Sequence, residues 1–243
     1  MRPAVTTLNA AGASPYVLLC EHASNCIPAS YAGLGLVPVD LARHIAWDIG
    51  AADLARQLSA RLDAPLFLSG YSRLLIDCNR PPGSATSIPP RSEDTDIPGN
   101  LALSAAEVAA RQDRFFRPFH AAVAACLDAR RDRPGIVIGV HSFTPVYRGI
   151  RRPWHAGLLY AAATRLGRGL VAALAADPAL VVGDNEPYRI EPEHDYTVPI
   201  HGDARGIPAA LIEVRQDLLA DAAGIAAWAA RLAPALMAVQ AAR

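Results

Sequence analysis

The stretch Tyr-Val-Leu-Leu-Cys-Glu-His-Ala-Ser-Asn, residues 16–25, contains a pattern that recurs along this chain: an apolar run followed by polar residues. Its first half, residues 16–20, is an apolar run of strand length, and its second half is a dense polar cluster that includes Glu21 and His22. Open α/β sheets build their binding sites in this way, at the carboxyl ends of buried strands. The stretch therefore predicts a buried strand that carries functional groups at its end.

Two further apolar runs have the same form. Residues 135–140 (GIVIGV) are followed by His141, and residues 209–214 (AALIEV) contain Glu213 near their end. Shorter strand candidates are residues 65–68, 73–76 and 180–182. If the strands are parallel and adjacent, their polar ends meet in one crevice.

Helices are predicted between the strands by the spacing of apolar residues, over residues 41–62, 104–131, 161–176 and 217–241. Ser104 with Glu107 fits a capping box. Buried strands that alternate with helices indicate an α/β fold with a mainly parallel sheet covered on both faces. Residues 81–100, rich in Pro, Ser, Asp and Gly, are expected to form a long loop. We expect residues 1–14 to be a loose lead-in and residues 15–243 a single domain.

Composition restricts the function. Acidic and basic residues balance at 23 each, so no bulk field favours nucleic acid or an anionic membrane. All 23 basic residues are arginine, which excludes lysine Schiff-base and lysine–phosphate chemistry. The four cysteines form no C-x-x-C pair, and no apolar run approaches the length of a membrane span. We expect a soluble, cytoplasmic protein that binds neither nucleic acid nor membrane; its oligomeric state stays open.

The ionisable groups at the strand ends suggest metal chemistry. Two histidines and a carboxylate with an open fourth position form a catalytic zinc arrangement, and a free glutamate nearby can act as general base. The alternative is a purely structural role, in which His22 and His141 are hydrogen-bonded core residues and Glu213 pairs with an arginine. A charge inside an apolar run is costly unless it is paired or bound, which favours a site role for Glu213. A serine–histidine site would need a nucleophile elbow, and no G-x-S-x-G occurs.

The stretch Tyr-Ser-Arg-Leu-Leu-Ile-Asp-Cys-Asn-Arg-Pro-Pro-Gly, residues 71–83, suggests an anion pocket. A predicted strand over residues 73–76 runs into a cluster of Asp77, Asn79 and Arg80, with Arg73 just before it. The planar fork of donors on an arginine suits a carboxylate or a phosphate. The alternative is a structural Asp–Arg pair at a strand end.

Eight segments together give the sequence a family resemblance. It resembles the N-formylglutamate amidohydrolase family in EHASNCIP (21–28), HIAWDIGA (44–51), SRLLIDCNRPPG (72–83), PFH (118–120), GVHSFTPVYRG (139–149), RPWHAGLLY (152–160), VGDNEPY (182–188) and IEVRQDLL (212–219). That family is similar to zinc-dependent exopeptidases, phosphorylase/hydrolase-like proteins and aspartoacylase-like hydrolases. The resemblance implies a three-layer α/β/α domain around a mixed sheet. It also implies one zinc ion and the hydrolysis of N-formylglutamate to glutamate and formate.

The resemblance also assigns roles to residues. It implies that His22 and His141 hold the metal, that Glu213 is the base, and that Asn79 and Arg80 grip a substrate carboxylate. Further residues proposed to support or line the substrate pocket are Arg73, Asp77, His120, Asn185, Tyr188, His201 and Arg215.

The third metal ligand departs from the family motif. Three residues after His22, where the family has glutamate, stands Asn25, and asparagine is a poor zinc ligand. Glu21 and Asp48 are the alternatives. Adjacent residues on an extended strand face opposite sides, which counts against Glu21 acting together with His22, so Asp48 is preferred. Two other functions stay open: a deacylase or peptidase for another carboxylate-bearing substrate, and a non-catalytic carboxylate-binding protein with a vestigial metal site.

Overall fold

The computed structural model describes residues 2–133 and 135–241. The strands of this part of the chain are β1 (Val5–Leu8), β2 (Tyr16–Cys20), β3 (Leu66–Ser69), β4 (Arg91–Ser92), β5 (Thr95–Asp96), β6 (Ile136–Phe143), β7 (Val146–Tyr147), β8 (Ile150–Arg151), β9 (Ala156–Leu159), β10 (Val182–Asp184) and β11 (Ala209–Arg215). The α-helices are α1 (Pro38–Leu41), α2 (Ala51–Leu62), α3 (Ala105–Arg111), α4 (Arg117–Ala129), α5 (Thr164–Ala175) and α6 (Ala222–Ala241). A π-helical segment, Gln112–Phe116, joins α3 to α4.

Seven strands form one mixed sheet in the order β1-β3-β2-β6-β11-β9-β10. Four neighbours, β3, β2, β6 and β11, run parallel to one another. At the edges, β1 is antiparallel to β3, and β9 is antiparallel to β11 but parallel to β10. The mainly parallel, mixed sheet expected from the sequence is therefore confirmed, and β2, β6 and β11 end side by side at one edge.

Helices cover both faces of the sheet and make three layers. Helices α2, α5 and α6 pack on one face, where Leu18 of β2 and Ile138 of β6 belong to the same apolar cluster. Helix α4 packs on the other face, through Phe119 and Val123, against alternate residues such as Leu19. Side chains alternate between faces along a strand, so a central strand such as β2 contributes to the apolar clusters on both faces. Full burial of one such side chain stabilises the fold by about 1.5–3 kcal/mol.

Residues 73–76 do not form the predicted strand. They lie in a turn, and Leu74, Leu75 and Ile76 are buried in a third apolar cluster together with residues such as Phe115 and Ile97. A short apolar run needs burial, and burial under loops satisfies it as well as a place in the sheet does.

The helix predicted over residues 41–62 begins only at Ala51. Gly50 precedes it in the left-handed conformation, at φ +79°, and a Cβ there would lie 2.4 Å from Cβ of Leu219. A glycine tolerates both the backbone angle and the close approach. Asp48 therefore lies in a turn before α2, where its backbone N–H donates to the carbonyl of His22 over 3.0 Å.

Three further segments also differ from expectation. Val5–Leu8, inside the predicted loose lead-in of residues 1–14, form strand β1 at the edge of the sheet. Ala156–Leu159, where no strand was predicted, form strand β9 just before the helix predicted over residues 161–176. The predicted loop 81–100 contains the small hairpin β4–β5.

No apolar run of membrane-spanning length was expected from the sequence, but helix α6 is long and apolar enough, by length and composition alone, to cross a membrane. Trp228, Leu232 and Leu236 of α6 are buried against the sheet cluster that also holds α2 and α5. A helix in a protein core can have the same length and apolar composition as a membrane span. In the most apolar 18-residue part of α6, 39% of the residues are buried. Packing therefore accounts for part of the apolar character of α6.

Gly157 of β9 gives a testable prediction about how the sheet receives the loop after β10. It lies opposite Glu213 of β11, and a Cβ at this position would lie 1.8 Å from the carbonyl oxygen of Glu186. Because backbone would have to move, we expect Gly157→Ala to lower the free energy of unfolding by about 2–3 kcal/mol. Denaturant unfolding followed by circular dichroism measures this loss.

Gly135→Ala is the matched control, since its Cβ would meet Cγ2 of Ile207 at an ordinary 3.5 Å. We expect this control to stay within about 0.5 kcal/mol of the wild-type protein. Equal stabilities of the two variants would contradict the close packing of the Glu186 carbonyl on β9.

Candidate active site

A cavity of about 520 Å³ opens at the carboxyl ends of the parallel strands. His22 follows β2, His141 lies in β6 and Glu213 lies in β11, and all three line this cavity together with Asp48. Strands β2 and β6 are adjacent although the chain places β3 between them, so the cavity lies where the strand order reverses. Ligands of open α/β sheets bind at such points. The crevice predicted from the strand ends is formed.

Three ligand-type atoms form a small triangle at the base of this cavity. Nδ1 of His22 lies 3.2 Å from Nδ1 of His141 and 3.2 Å from Oδ2 of Asp48, and Nδ1 of His141 lies 2.8 Å from the same Oδ2 atom. A tetrahedral zinc ion with ligands at about 2.0–2.1 Å holds neighbouring ligand atoms about 3.3 Å apart. Two imidazole nitrogens and a carboxylate oxygen are also zinc's ordinary donors. The three residues therefore fit a divalent metal ion.

The far nitrogen of each histidine ring faces a second carboxylate. Nε2 of His22 lies 2.8 Å from Oδ1 of Asp77, and Nε2 of His141 lies 3.1 Å from Oε2 of Glu21. The contact between His22 and Asp77 is a hydrogen bond. The atoms of His141 and Glu21 are close enough for a hydrogen bond, but the angle between them does not allow one. Both carboxylates are buried. Neither residue belongs to the ligand triangle, so Glu21 stands behind His141 and not beside its Nδ1 atom.

The charges of this centre perturb one another strongly. Burial opposes ionisation, but His141 lowers the pKa of the Glu21 carboxyl to about 2, with help from a hydrogen bond donated by Thr197. Against the effect of burial, Glu21 and Asp48 hold the pKa of His141 well above its ordinary value. Burial likewise disfavours an ionised Asp77, yet Arg73 and His22 keep its pKa well below the usual range. Strongly perturbed groups that converge in a cleft are typical of functional sites.

Glu213 differs from the other carboxylates of this centre. It lies opposite His141 in the parallel β6–β11 pair, it is 6% exposed, and its Oε2 atom has no hydrogen-bond partner among the described residues. Burial, together with the charge of Asp48, raises its pKa to about 7, although His141 opposes the rise. A carboxyl group with such a pKa can both accept and donate a proton near neutral pH.

The arginines of the 71–83 stretch are held by carboxylates. Arg73 forms an ion pair with Asp77 at 2.8 Å and approaches Oδ1 of Asp48 at 3.5 Å. Nη1 of Arg80 donates to Oδ1 of Asp195 over 3.0 Å and to the carbonyl of His194 over 2.6 Å. Both arginines line the cavity and both side chains are 25% exposed.

The amide of Asn79 has a structural task. Its Oδ1 atom accepts the backbone N–H groups of Tyr196 and Thr197, over 3.2 and 2.9 Å, and its Nδ2 atom donates to Asp195 over 3.4 Å. Asn79 lines the cavity, but its side chain holds the 195–197 segment in place. The sequence suggested a direct grip on substrate, whereas the structure gives Asn79 internal partners.

Comparison with known proteins places the chain in a family. A model of the N-formylglutamate amidohydrolase family matches residues 14–220. The chain belongs to this family. It is therefore an amidohydrolase, an enzyme that hydrolyses an amide bond. No curated protein matches the chain.

Two solved structures are similar to this amidohydrolase. The crystal structure of a gene product of Agrobacterium tumefaciens shares 39% sequence identity with a TM-score of 0.96, over 99% of this chain and 96% of that one. The crystal structure of N-formylglutamate amidohydrolase from Ralstonia eutropha shares 20% identity with a TM-score of 0.71, over 99% of this chain and 98% of that one. The second likeness supports the fold.

Several residues proposed from the sequence do not line the cavity of the amidohydrolase. Asn25 donates to the carbonyl of Leu41, Asn185 accepts from the backbone of Tyr160, and Arg215 pairs with Asp217. His120 and His201 are buried and hydrogen-bonded to each other. Tyr188, by contrast, is at the cavity as expected.

Other lining residues were not singled out from the sequence. Arg189, Asp195 and Tyr147 line the cavity, and Arg152 packs between the rings of Tyr147 and Tyr188 at 4.7 and 4.8 Å. Arg189 is exposed at the cavity surface and follows Tyr188 directly. Arg189 could have been proposed from the sequence because it directly follows residues 182–188, one of the segments that carry the family resemblance. Asp195 lies in a polar loop with no distinguishing pattern.

The buried His120–His201 pair predicts an acid-sensitive fold. Nε2 of His120 lies 2.8 Å from the carbonyl of Cys78, and its Nδ1 lies 2.9 Å from Nε2 of His201. Burial lowers the pKa of His120 to about 3 and the pKa of His201 to about 4. An unfolded histidine titrates at about pH 6.5, so the unfolded chain alone takes up these protons between about pH 6.5 and 4. Stability present above pH 6.5 is therefore lost as the pH falls.

We expect His120→Gln to reduce the loss of unfolding free energy between pH 7 and pH 4.5 by about 2 kcal/mol. Denaturant unfolding at a series of pH values measures it, with His194→Gln, at an exposed histidine, as the control. The same pH slope in His120→Gln and wild type would contradict a neutral buried His120.

Proposed function

We propose that this amidohydrolase is zinc-dependent and hydrolyses N-formylglutamate to glutamate and formate. The observation that carries the proposal is the buried triangle of His22, His141 and Asp48 beside Glu213, whose pKa is raised to about 7. The family name supports the substrate. Asp48 stands beside both histidines where Asn25 does not, which supports a competent metal site over a vestigial one. We also propose that the enzyme works in the cytoplasm.

His22, His141 and Asp48 would hold the zinc ion. A zinc ion in such a site supplies Lewis-acid chemistry, which polarises a carbonyl group and makes water more acidic. Glu213 takes a proton from the attacking water, and the water oxygen bonds to the formyl carbon. Glu213 then gives this proton to the amide nitrogen as the carbon–nitrogen bond breaks. Glu213 is then ionised again, and the second proton of the water passes from the formic acid to the free amine, so that formate and glutamate with a protonated amine leave.

Two arginines of the cavity suit the two carboxylates of N-formylglutamate. Asp195 and the carbonyl of His194 fix Arg80 through Nη1. Arg189 lines the same cavity from the loop that follows β10. We assign one substrate carboxylate to each of these arginines, because a guanidinium can bind a carboxylate through two parallel hydrogen bonds. Fixing both ends of the substrate orients the amide at the ligand triangle.

Glu213→Gln tests the proton transfer. Glutamine keeps the shape of the side chain but cannot accept a proton, so we expect kcat to fall by about 10²–10⁴-fold. Zinc content should stay at the wild-type value, because Glu213 is outside the ligand triangle. Steady-state kinetics and elemental analysis measure the two quantities.

Glu193→Gln, at an exposed position, is the control for Glu213→Gln and should keep wild-type kinetics. If Glu213→Gln lost zinc together with activity, Glu213 would be a ligand and the assigned role would be wrong.

Zinc dependence is tested on the purified wild-type protein. We expect about one zinc ion per chain, loss of N-formylglutamate hydrolysis after chelation, and its return when zinc is added. Activity that survives complete removal of metal would overturn the zinc mechanism. Bound zinc with hydrolysis only of acetyl or succinyl amino acids would favour the deacylase alternative.

Arg80→Ala and Arg189→Ala test substrate binding. Loss of a hydrogen-bonded charge pair costs about 1.5–3 kcal/mol, so each variant should lose about 10–100-fold in kcat/KM for N-formylglutamate. N-Formylglutamine lacks one of the two carboxylates. The variant without the arginine assigned to that carboxylate should therefore hydrolyse N-formylglutamine as well as the wild type does. Arg114→Ala, at an exposed arginine of the π-helical segment, is the control. Equal losses on both substrates in both variants would contradict the assignment.

A further inference from the structure

We propose that Glu21 and Asp77 are positioning residues, each of which holds one histidine so that its Nδ1 atom is presented to the metal. This inference rests on the metal site of the proposed function and goes beyond it to a second layer of residues. It assigns Glu21, which the sequence offered as a ligand, and Asp77, which the sequence offered for substrate, to the same task.

Asp77 is firmly placed behind His22. Its Oδ1 atom accepts from Nε2 of His22 over 2.8 Å and from the backbone N–H of Asn79 over 2.8 Å. Its Oδ2 atom accepts from Nε of Arg73 over 3.0 Å. The residue is 3% exposed, so water does not compete for these bonds. Asp77 therefore fixes both the direction of the ring of His22 and the nitrogen that carries its proton.

Glu21 occupies the corresponding place behind His141. Its Oε1 atom accepts a hydrogen bond from Oγ1 of Thr197, which anchors the carboxylate. Its Oε2 atom lies 3.1 Å from Nε2 of His141, and neither of these two buried atoms has a hydrogen-bond partner among the described residues. Two unsatisfied buried atoms at this separation need only a change of angle to bond to each other. A buried polar atom left unpaired destabilises the fold, which favours this bond.

The chemistry gives both carboxylates one effect. A carboxylate only accepts hydrogen bonds, so a neutral imidazole that faces one keeps its single proton on that nitrogen. The other nitrogen then has a free lone pair, which is what a metal ion requires. Asp48 also lies beside both Nδ1 atoms, but the two rings share it, whereas each Nε2 atom has a carboxylate of its own.

Arg73 extends the same layer to the third ligand. It pairs with Asp77 and also approaches Oδ1 of Asp48 at 3.5 Å, on the oxygen that the histidines do not use. Each of the three ligands thus has a charged partner on its far side. The neighbours Glu21 and His22 serve different rings, since Glu21 faces His141 while Asp77 comes from the 71–83 stretch to face His22.

The test measures zinc affinity, which does not depend on turnover. Competition with a chromophoric chelator gives the zinc Kd of the wild-type protein, Glu21→Gln and Asp77→Asn. Loss of such a partner weakens metal binding by about 10–100-fold, and we expect this loss in both variants. The visible spectrum of the cobalt-loaded protein should change as well, because the orientation of the ligand changes. Glu93→Gln is the matched control. Glu93 also faces a histidine, with its Oε1 atom 3.0 Å from Nε2 of His44, but this pair is not part of the ligand triangle.

A second variant covers the case in which Glu21→Gln fails to fold. Thr197→Val keeps the shape of a buried side chain but removes the hydroxyl that anchors Glu21, and zinc affinity should fall several-fold. Thermal unfolding of the metal-free proteins distinguishes positioning of the histidines from a merely structural role. A merely structural role would lower the thermal stability and leave the zinc Kd of the folded protein unchanged.

Folded variants with wild-type zinc Kd and cobalt spectrum would overturn the inference while leaving the proposed function intact. A wild-type protein that binds no zinc would overturn both.

Discussion

The structure depends on the concentration of charge at the carboxyl ends of β2, β6 and β11. Four buried carboxylates, those of Glu21, Asp48, Asp77 and Glu213, meet two histidines and Arg73 there. Each isolated charge would cost several kcal/mol to remove from water, so the carboxylates of Glu21, Asp48 and Asp77 need their charged partners, whereas Glu213 meets the same cost by a raised pKa. The partners come from elements far apart in the chain: the end of β2, the turn before α2, the 71–83 stretch and β6. Removing one partner would leave another charge buried alone.

Much of this arrangement could be predicted from the sequence because its physical signals are local. The apolar runs of β2, β6 and β11 are long enough to be recognised, and a polar residue that ends such a run marks the edge of the sheet. Other signals were ambiguous. Residues 73–76 show the burial of a strand without being one, and Ala156–Leu159 are short and contain a glycine, so β9 was not distinguished from its neighbours.

The roles of individual polar side chains could not be predicted in the same way. Whether a carboxylate binds metal, positions a histidine or receives a proton depends on which atom it faces, and only the folded chain determines that. Asn79 was expected to hold the substrate carboxylate and Asp77 to support it, yet Asn79 holds the 195–197 segment, and Asp77, besides pairing with Arg73, faces His22. The His120–His201 pair shows a similar limit, because a histidine beside an apolar stripe gives no sign of whether it opens to a cavity or packs beneath one.

The residues of the site come both from central strands and from a loop. His141 and Glu213 lie within two central strands and are paired with each other, and Glu213 is also paired with Gly157 on its other side, so the sheet fixes their backbone. Tyr188 and Arg189 belong to a loop that reaches the cavity because Gly157 lets the carbonyl of Glu186 approach the sheet. Reacting groups need placement within about 0.5 Å, which strands supply, whereas recognition of a side chain tolerates the freedom of a loop. Changes in this loop could therefore alter which acyl amino acid is accepted while the ligand triangle and Glu213 stay in place.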